Sequence, residues 1–171
     1  MSSVVRFLFE LASLKNVPRS GWLKLGIDEP ESVAEHSFLT AAIAFILAYM
    51  ETKNLDVASK VCAAALFHDA HETRTLDLHK LARRYVKVDE EKARKDVFNF
   101  EGGEEIIKLV KEYEDLVKDA DKLELLIQAK IYSKNYDSMF YVRDLKFKTK
   151  SAKILAEKIR EADERWWREV E

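Results

Sequence analysis

The 171-residue chain carries 29 basic against 31 acidic residues, a net charge of −2, and one cysteine, Cys62. That length fits one domain with a sizeable core; no Lys/Arg cluster interleaved with aromatics points to a nucleic-acid polymer, and one cysteine forms no internal disulfide. Charge recurs through the apolar stretches and the N-terminus lacks a signal-peptide pattern, so the expectation is a cytoplasmic protein without a membrane span.

Apolar residues recur at spacings of three and four, with no period-two run and no internal repeat, which predicts helices over about 3–15, 31–52, 55–71, 77–85, 89–99, 103–115, 116–136 and 149–169. Both prolines and two of the four glycines fall between Pro18 and Pro30, the only breaker-rich stretch besides Gly102-Gly103. Pro30-Glu31-Ser32 reads as a helix entrance, which puts His36 within the first two turns. The helix that follows is apolar on nearly every face (Phe38, Leu39, Ile43, Phe45, Ile46, Leu47) and is expected at the centre of the bundle, wrapped by others. Next comes the run Val61-Cys62-Ala63-Ala64-Ala65-Leu66-Phe67, in which Cys62 reads as core packing. Segment 72–102 is more polar and is expected to form the mouth and flanks of a site. Near the C-terminus, Trp166-Trp167 on an amphipathic helix suits packing or a dimer seam.

His68 and Asp69 directly follow that small, apolar run. Ionisable groups rarely enter a core unless they are paired or bind a metal. The partners a metal needs stand at the edges of other apolar helices: His36 in Ser32-Val33-Ala34-Glu35-His36-Ser37 and Asp121 in Lys118-Asp119-Ala120-Asp121-Lys122-Leu123-Glu124. Two imidazoles and two carboxylates suit one divalent transition metal, Mn, Co, Fe or Zn, better than Ca or Mg. Adjacent residues on a helix point about 100° apart, so one ion reaches both His68 and Asp69 only near a helix end. Glu72, four residues after His68, is placed one helical turn away, where it can serve the reaction without binding the metal. The competing readings are a satisfied core histidine for His36, a solvated helix charge for Asp121 and an orienting role for Glu72.

The ordered set of motifs resembles the HD-domain metal-dependent phosphohydrolases, in particular their 5′-deoxynucleotidase (YfbR-like) branch. The matches are Leu14-Lys15-Asn16-Val17-Pro18-Arg19-Ser20-Gly21-Trp22, Pro30-Glu31-Ser32-Val33-Ala34-Glu35-His36-Ser37, Phe67-His68-Asp69-Ala70-His71-Glu72, Asp77-Leu78 and Lys118 to Glu124. The resemblance implies an all-α, single-domain helical bundle over 1–171, with its core at about 14–130 and a C-terminal helix at about 149–169. It also implies a homodimer that removes phosphate from small-molecule deoxynucleoside 5′-monophosphates. In that family pattern His36, His68, Asp69 and Asp121 match the metal ligands, Glu72 the general acid/base, Arg19 the phosphate-orienting group, and Trp22 and Asp77 the nucleoside-sensing groups. Two departures bear on sugar and base preference: Ser20-Gly21 separates Arg19 from Trp22, and Leu76 stands before Asp77 where relatives often carry glycine.

The chemistry is consistent with that assignment, since a phosphate monoester needs a nucleophile, charge neutralisation and a proton for the leaving alkoxide. No P-loop, Ser-His-Asp triad or aspartyl-phosphate motif is evident. The alternatives are another phosphohydrolase of the same kind, acting on a phosphodiester or triphosphate, and a non-catalytic scaffold retaining a structural metal. A scaffold has no use for Arg19 and Glu72 beside the ligands.

Overall fold

The computed structural model describes residues 2–170, and among these the chain forms helices and no strand. The helices are α1 (Ser3–Ala12), α2 (Ser20–Leu23), α3 (Val33–Thr52), α4 (Leu55–Leu66), α5 (Glu72–Thr75), α6 (Glu90–Val97), α7 (Gly103–Glu112), α8 (Glu114–Tyr132) and α9 (Lys150–Glu161).

Helix α3 is the axis of the bundle. Its start is fixed by a reciprocal cap, in which Glu35 N–H donates to Ser32 Oγ at 3.2 Å and Ser32 N–H donates to Glu35 Oε2 at 2.7 Å. Alanines let its neighbours come close: Ala41, Ala44 and Ala48 pack on Ala58, Val61, Ala64 and Ala65 of α4 and on Val117 and Ala120 of α8. Larger side chains, Leu47, Leu123 and Leu126, fill the space toward α9 with Trp22 and Val142. By length and composition alone α3 could cross a membrane, against the expectation that charge interrupts every such run. Nor is it wrapped on all sides, because Phe38, Ile46 and Tyr49 lie on one exposed stripe, Phe38 being 71% exposed.

Several predicted helices are shorter than their apolar pattern. The predicted 55–71 helix ends at Leu66, and the chain passes through consecutive turns before α5 starts at Glu72. Predicted helix 77–85 is reduced to a 3-10 turn at Ala82–Arg84, and the C-terminal helix stops at Glu161. Trp166 and Trp167 therefore lie in a separate 3-10 turn, exposed and edge-on to each other, rather than on an amphipathic helix. The short α2 and the 3-10 turn Ser138–Val142 were hidden in breaker-rich or aromatic stretches. Cys62 is only half-buried, at the margin of the alanine-rich cluster.

Two features of the backbone place the site. Val33 N–H donates to Val17 O at 2.8 Å and Arg19 N–H donates to Glu31 O at 2.9 Å, a single antiparallel bridge that fastens Arg19 beside the first turns of α3. At the other edge Leu76 has φ 60° and ψ 164°, a conformation that essentially only glycine adopts without strain. Leu76 is 58% exposed, so its side chain contributes little packing to offset that strain. Leu76→Gly is therefore expected to raise the unfolding free energy by on the order of 1 kcal/mol. Urea unfolding checks this, and equal or lower stability would mean that the side chain repays its backbone.

Candidate metal centre and active site

His68 and Asp69 sit just past the end of α4, where the tight turns let both side chains reach one point. His68 N–H donates to Ala65 O at 3.4 Å and Glu72 N–H to Asp69 O at 2.9 Å, and Arg94 takes up the His68 carbonyl at 2.7 Å. The break also changes how Glu72 arrives. It is not one turn along a continuous helix from His68 but opens α5, with a carboxylate oxygen within 4.8 Å of ligand-type atoms of Asp69 and His71.

Each imidazole is fixed through Nδ1. His68 Nδ1 lies 2.6 Å from the Ala65 carbonyl, and His36 Nδ1 lies 2.6 Å from Glu124 Oε2. Both Nε2 atoms are left buried and without a hydrogen-bond partner. They converge on carboxylates: His68 Nε2 is 3.1 Å and His36 Nε2 3.6 Å from Asp69 Oδ2, and His36 Nε2 is 3.3 Å from Asp121 Oδ1. Orphaned buried nitrogens are costly unless something binds them. Two such nitrogens aimed at two carboxylates form a donor set that fits a divalent ion, with each ring's tautomer fixed from behind.

Arg19 spans the same group. Its guanidinium lies 3.7 Å from Asp69 Oδ2, 3.8 Å from Asp77 Oδ1 and 3.7 Å from Asp121 Oδ1, too long for hydrogen bonds, so its donors are not committed. Asp77 accepts the Ser20 N–H at 2.7 Å through its other oxygen, which joins the loop after α5 to the loop bearing Arg19. These residues line a cavity of about 320 Å³ whose wall includes Trp22, Glu72, His79 and Tyr141 and whose mouth carries Lys24, Lys80 and Arg83. Trp22 is only 2% exposed, stacked edge-on against Tyr132 and Tyr141.

The electrostatics follow from crowding. Burial opposes ionisation of Asp69, but His68, His36 and Arg19 outweigh it and hold the carboxyl far below the ordinary range. Asp121 is lowered in the same way by His36. At Glu72 the balance reverses: burial first, then the charges of Asp69 and Asp77, outweigh Arg19 and His36 and push it up to about 9, which favours the protonated acid at neutral pH. Burial and Arg19 act to discharge His36, yet the carboxylates of Asp121 and Glu124 prevail and push it up to about 10.

The structure thus brings together His36, His68, Asp69, Asp121, Arg19, Glu72 and Asp77, with Trp22 in the wall. Sequence reasoning missed Glu124 and Glu31. Glu124 lies three residues after Asp121, one helical turn along the same face, which was the available signal. Glu31 reads as part of a helix entrance, but burial, then Glu124, push it up to about 7. His71 is buried, with Nε2 3.9 Å from Glu90. His79 accepts the Ala82 N–H and lines the cavity.

Residues 11–163 match the HD domain family. The chain is 33% identical over 152 residues to the 5′-deoxynucleotidase HDDC2 of Dictyostelium discoideum, covering 78% of this chain and 80% of that protein. It is 31% identical to the 5′-deoxynucleotidase HDDC2 of Danio rerio, covering 77% and 70%. Among solved structures, a coding region of Archaeoglobus fulgidus is 40% identical with a TM-score of 0.73, covering 98% of this chain and all of that one. A protein described as genomics APC5600 is 45% identical with a TM-score of 0.87, covering 98% and 99%. The chain belongs to the HD-domain family, and the His/Asp cluster is its candidate site for a divalent metal.

His36 is charged at neutral pH in the ion-free site, and an ion bound through Nε2 requires it neutral. Binding therefore releases about one proton per site, and apparent affinity rises with pH by up to tenfold per unit below about pH 10. Calorimetry of Mn²⁺ binding in buffers of different ionisation enthalpy measures the proton count. An affinity flat between about pH 6.5 and 8.5 would contradict the sign.

Proposed function

We propose that this HD-domain protein is a phosphomonoesterase that hydrolyses deoxynucleoside 5′-monophosphates to nucleoside and phosphate, with His36, His68, Asp69 and Asp121 holding one divalent ion. The observation that carries the reading is the convergence of two orphaned Nε2 atoms on two carboxylates that line a cavity, beside an uncommitted guanidinium and the buried carboxyl of Glu72. The 5′-deoxynucleotidase activity for which the HDDC2 relatives are named supports the substrate class.

A divalent ion held there supplies Lewis acidity to phosphate oxygens and to water. Arg19 binds the phosphate by two parallel N–H donors, exchanging its loose contacts with Asp69, Asp77 and Asp121 for hydrogen bonds to the substrate. Glu72 holds the proton that the departing 5′-alkoxide requires and, once ionised, can accept one in turn. Asp77 keeps Arg19 and Ser20 in register, and its carboxylate offers an acceptor for a sugar 3′-hydroxyl. The wall at Trp22 crowds the far side of the sugar, so discrimination against a ribose hydroxyl is steric and moderate, about 10²-fold at most. A homodimer is part of the proposal, and the exposed Phe38, Ile46, Tyr49, Trp166 and Trp167 supply apolar surface for it. A second reading, a substrate with further phosphates, is favoured by one feature, the exposed Lys24 and Lys80 at the mouth.

The test is phosphate release by metal-reconstituted protein from nucleoside mono-, di- and triphosphates, deoxy and ribo. Deoxynucleoside monophosphates should have the highest kcat/KM. Glu72→Ala should keep its metal and lose about 10²–10⁴-fold in kcat, because the acid lies outside the ligand set. Asp69→Ala should lose the metal. Near-normal turnover by Glu72→Ala would reduce Glu72 to a structural residue.

A further inference from the structure

The Nδ1 edge of His36 faces away from the cavity, into the protein. Its partner Glu124 is fully buried, and while Oε2 meets Nδ1 at 2.6 Å, Oε1 has no hydrogen-bond partner. Glu31 stands beside it: ligand-type atoms of Glu31, His36 and Glu124 all lie within 4.8 Å of one another. Glu31 is itself held from two sides. Its Oε1 accepts the Trp22 Nε1–H at 2.9 Å, and its backbone N–H donates to Tyr132 Oη at 2.9 Å. Tyr132 packs edge-on against Trp22 with centroids 5.3 Å apart, so Trp22, Glu31 and Tyr132 form one braced unit. Trp22 lines the active-site cavity, whereas Glu31 and Glu124 do not; with Tyr132 they border a separate pocket on the other side, so they reach species in the active-site cavity only through other residues.

An imidazole that binds an ion through one nitrogen depends on what holds the other, and loss of that partner typically costs 10–100-fold in metal affinity. Glu124 meets the requirement for His36, but a buried carboxylate with one empty oxygen is not fixed by that single bond. Glu31 lies within 4.8 Å and, when its carboxyl carries a proton, can donate it to that oxygen, while Trp22 and Tyr132 hold Glu31 in place. We propose that Glu124 and Glu31 are positioning residues in a relay, Trp22–Glu31–Glu124–His36, that ties the wall of the nucleotide cavity to the orientation of a metal-binding ring. The proposal rests on the reading of His36 as a ligand. It gives Trp22 a role apart from crowding the sugar, since its N–H serves the metal site from the far end of the relay.

The experiment is titration of substrate-free protein with Co²⁺, followed by visible absorption, in wild type and five variants. Glu124→Ala is expected to weaken Co²⁺ binding about 10–100-fold. If that variant does not fold, the isosteric Glu124→Gln still weakens binding, by about fivefold or more, because a neutral amide is a poorer acceptor for the Nδ1 proton. Glu31→Ala weakens it by about tenfold, and Glu31→Gln, whose amide can both accept from Trp22 and donate to Glu124 Oε1, restores it to within about threefold of wild type. Trp22→Phe keeps the ring packing and deletes the N–H, and should weaken Co²⁺ binding by about three- to tenfold although Trp22 is not a ligand. Co²⁺ affinity within about twofold of wild type in both Glu124 variants overturns the relay. Weakening confined to Glu124, with Trp22→Phe and Glu31→Ala unchanged, overturns its Glu31–Trp22 arm. A wild type that binds no Co²⁺ overturns the ligand reading of His36 itself, a distinguishable failure that removes the relay with it.

Discussion

The structure turns on a concentration of negative charge that the fold cannot neutralise by itself. Asp69, Glu72, Asp77 and Asp121 line one cavity, Glu31 and Glu124 lie behind it, and the countercharges within 4 Å of these carboxylates are Arg19 and the His36 ring, with Lys24, Lys80 and Arg83 elsewhere on the cavity lining. Ionised groups taken from water are tolerated only when paired. The ion-free site meets this by keeping protons on Glu72 and on His36, the first raised by burial beside Asp69 and Asp77, the second by Asp121 and Glu124. The His36 proton occupies a place where a dication would do the same work, so affinity for metal and the protonation of that ring are two descriptions of one electrostatic deficit.

Around that deficit the helices act as a frame. No long helix contributes its middle except α8, which presents Asp121 and Glu124 one turn apart. Arg19 comes from a loop bridged to the start of α3, His36 from the first turns of α3, His68 and Asp69 from the turns after α4, and Glu72 from the start of α5. Helix ends offer free carbonyls and changes of direction that a continuous helix does not. The Ala65 carbonyl fixing His68 is one such group. Rigid alanine packing between α3 and α4 then keeps those ends in place, which a loosely packed seam would not.

The sequence made the ligand doublet visible because His68-Asp69 violates its apolar surroundings, and Pro30-Glu31-Ser32 was legible as a helix entrance, where the structure places the Ser32–Glu35 cap. What it concealed was geometry without a compositional trace. The apolar run through Phe67 continues a helical pattern, so the break after Leu66 and the new start at Glu72 could not be read from spacing. Asp119 and Asp121 share one stretch, yet Asp119 is fully buried and accepts from Lys148 N–H, Thr149 N–H and Thr149 Oγ1, anchoring the start of α9, while Asp121 faces the site. Only tertiary contacts separate the two. Glu31, and Glu124 apart from its spacing from Asp121, were masked for a related reason, since carboxylates at a helix entrance or on a helix face are ordinarily solvated. The exposed stripe of α3 was hidden by the opposite excess, because a helix apolar on every side carries no signal of which side is uncovered.

Arg19 shows how the site reconciles stability with turnover. A guanidinium bound tightly to Asp69 or Asp121 would stabilise the ion-free fold, but the energy of those bonds would then have to be recovered from each incoming phosphate. The observed contacts, 3.7 to 3.8 Å to three different carboxylates, give Coulombic compensation without directional bonds. Such attraction decays gradually with distance, whereas a hydrogen bond is lost within a fraction of an ångström. Arg19 can therefore turn toward a phosphate while continuing to neutralise the carboxylates behind it. Asp77, bonded to the Ser20 N–H, limits how far the loop can move as it does so. The strained Leu76 is the neighbour through which the chain reaches that anchoring position. A backbone distortion at one edge of the cavity and a deliberately loose ion-pair set at its centre thus serve the same end, a cation held near the site but not consumed by it.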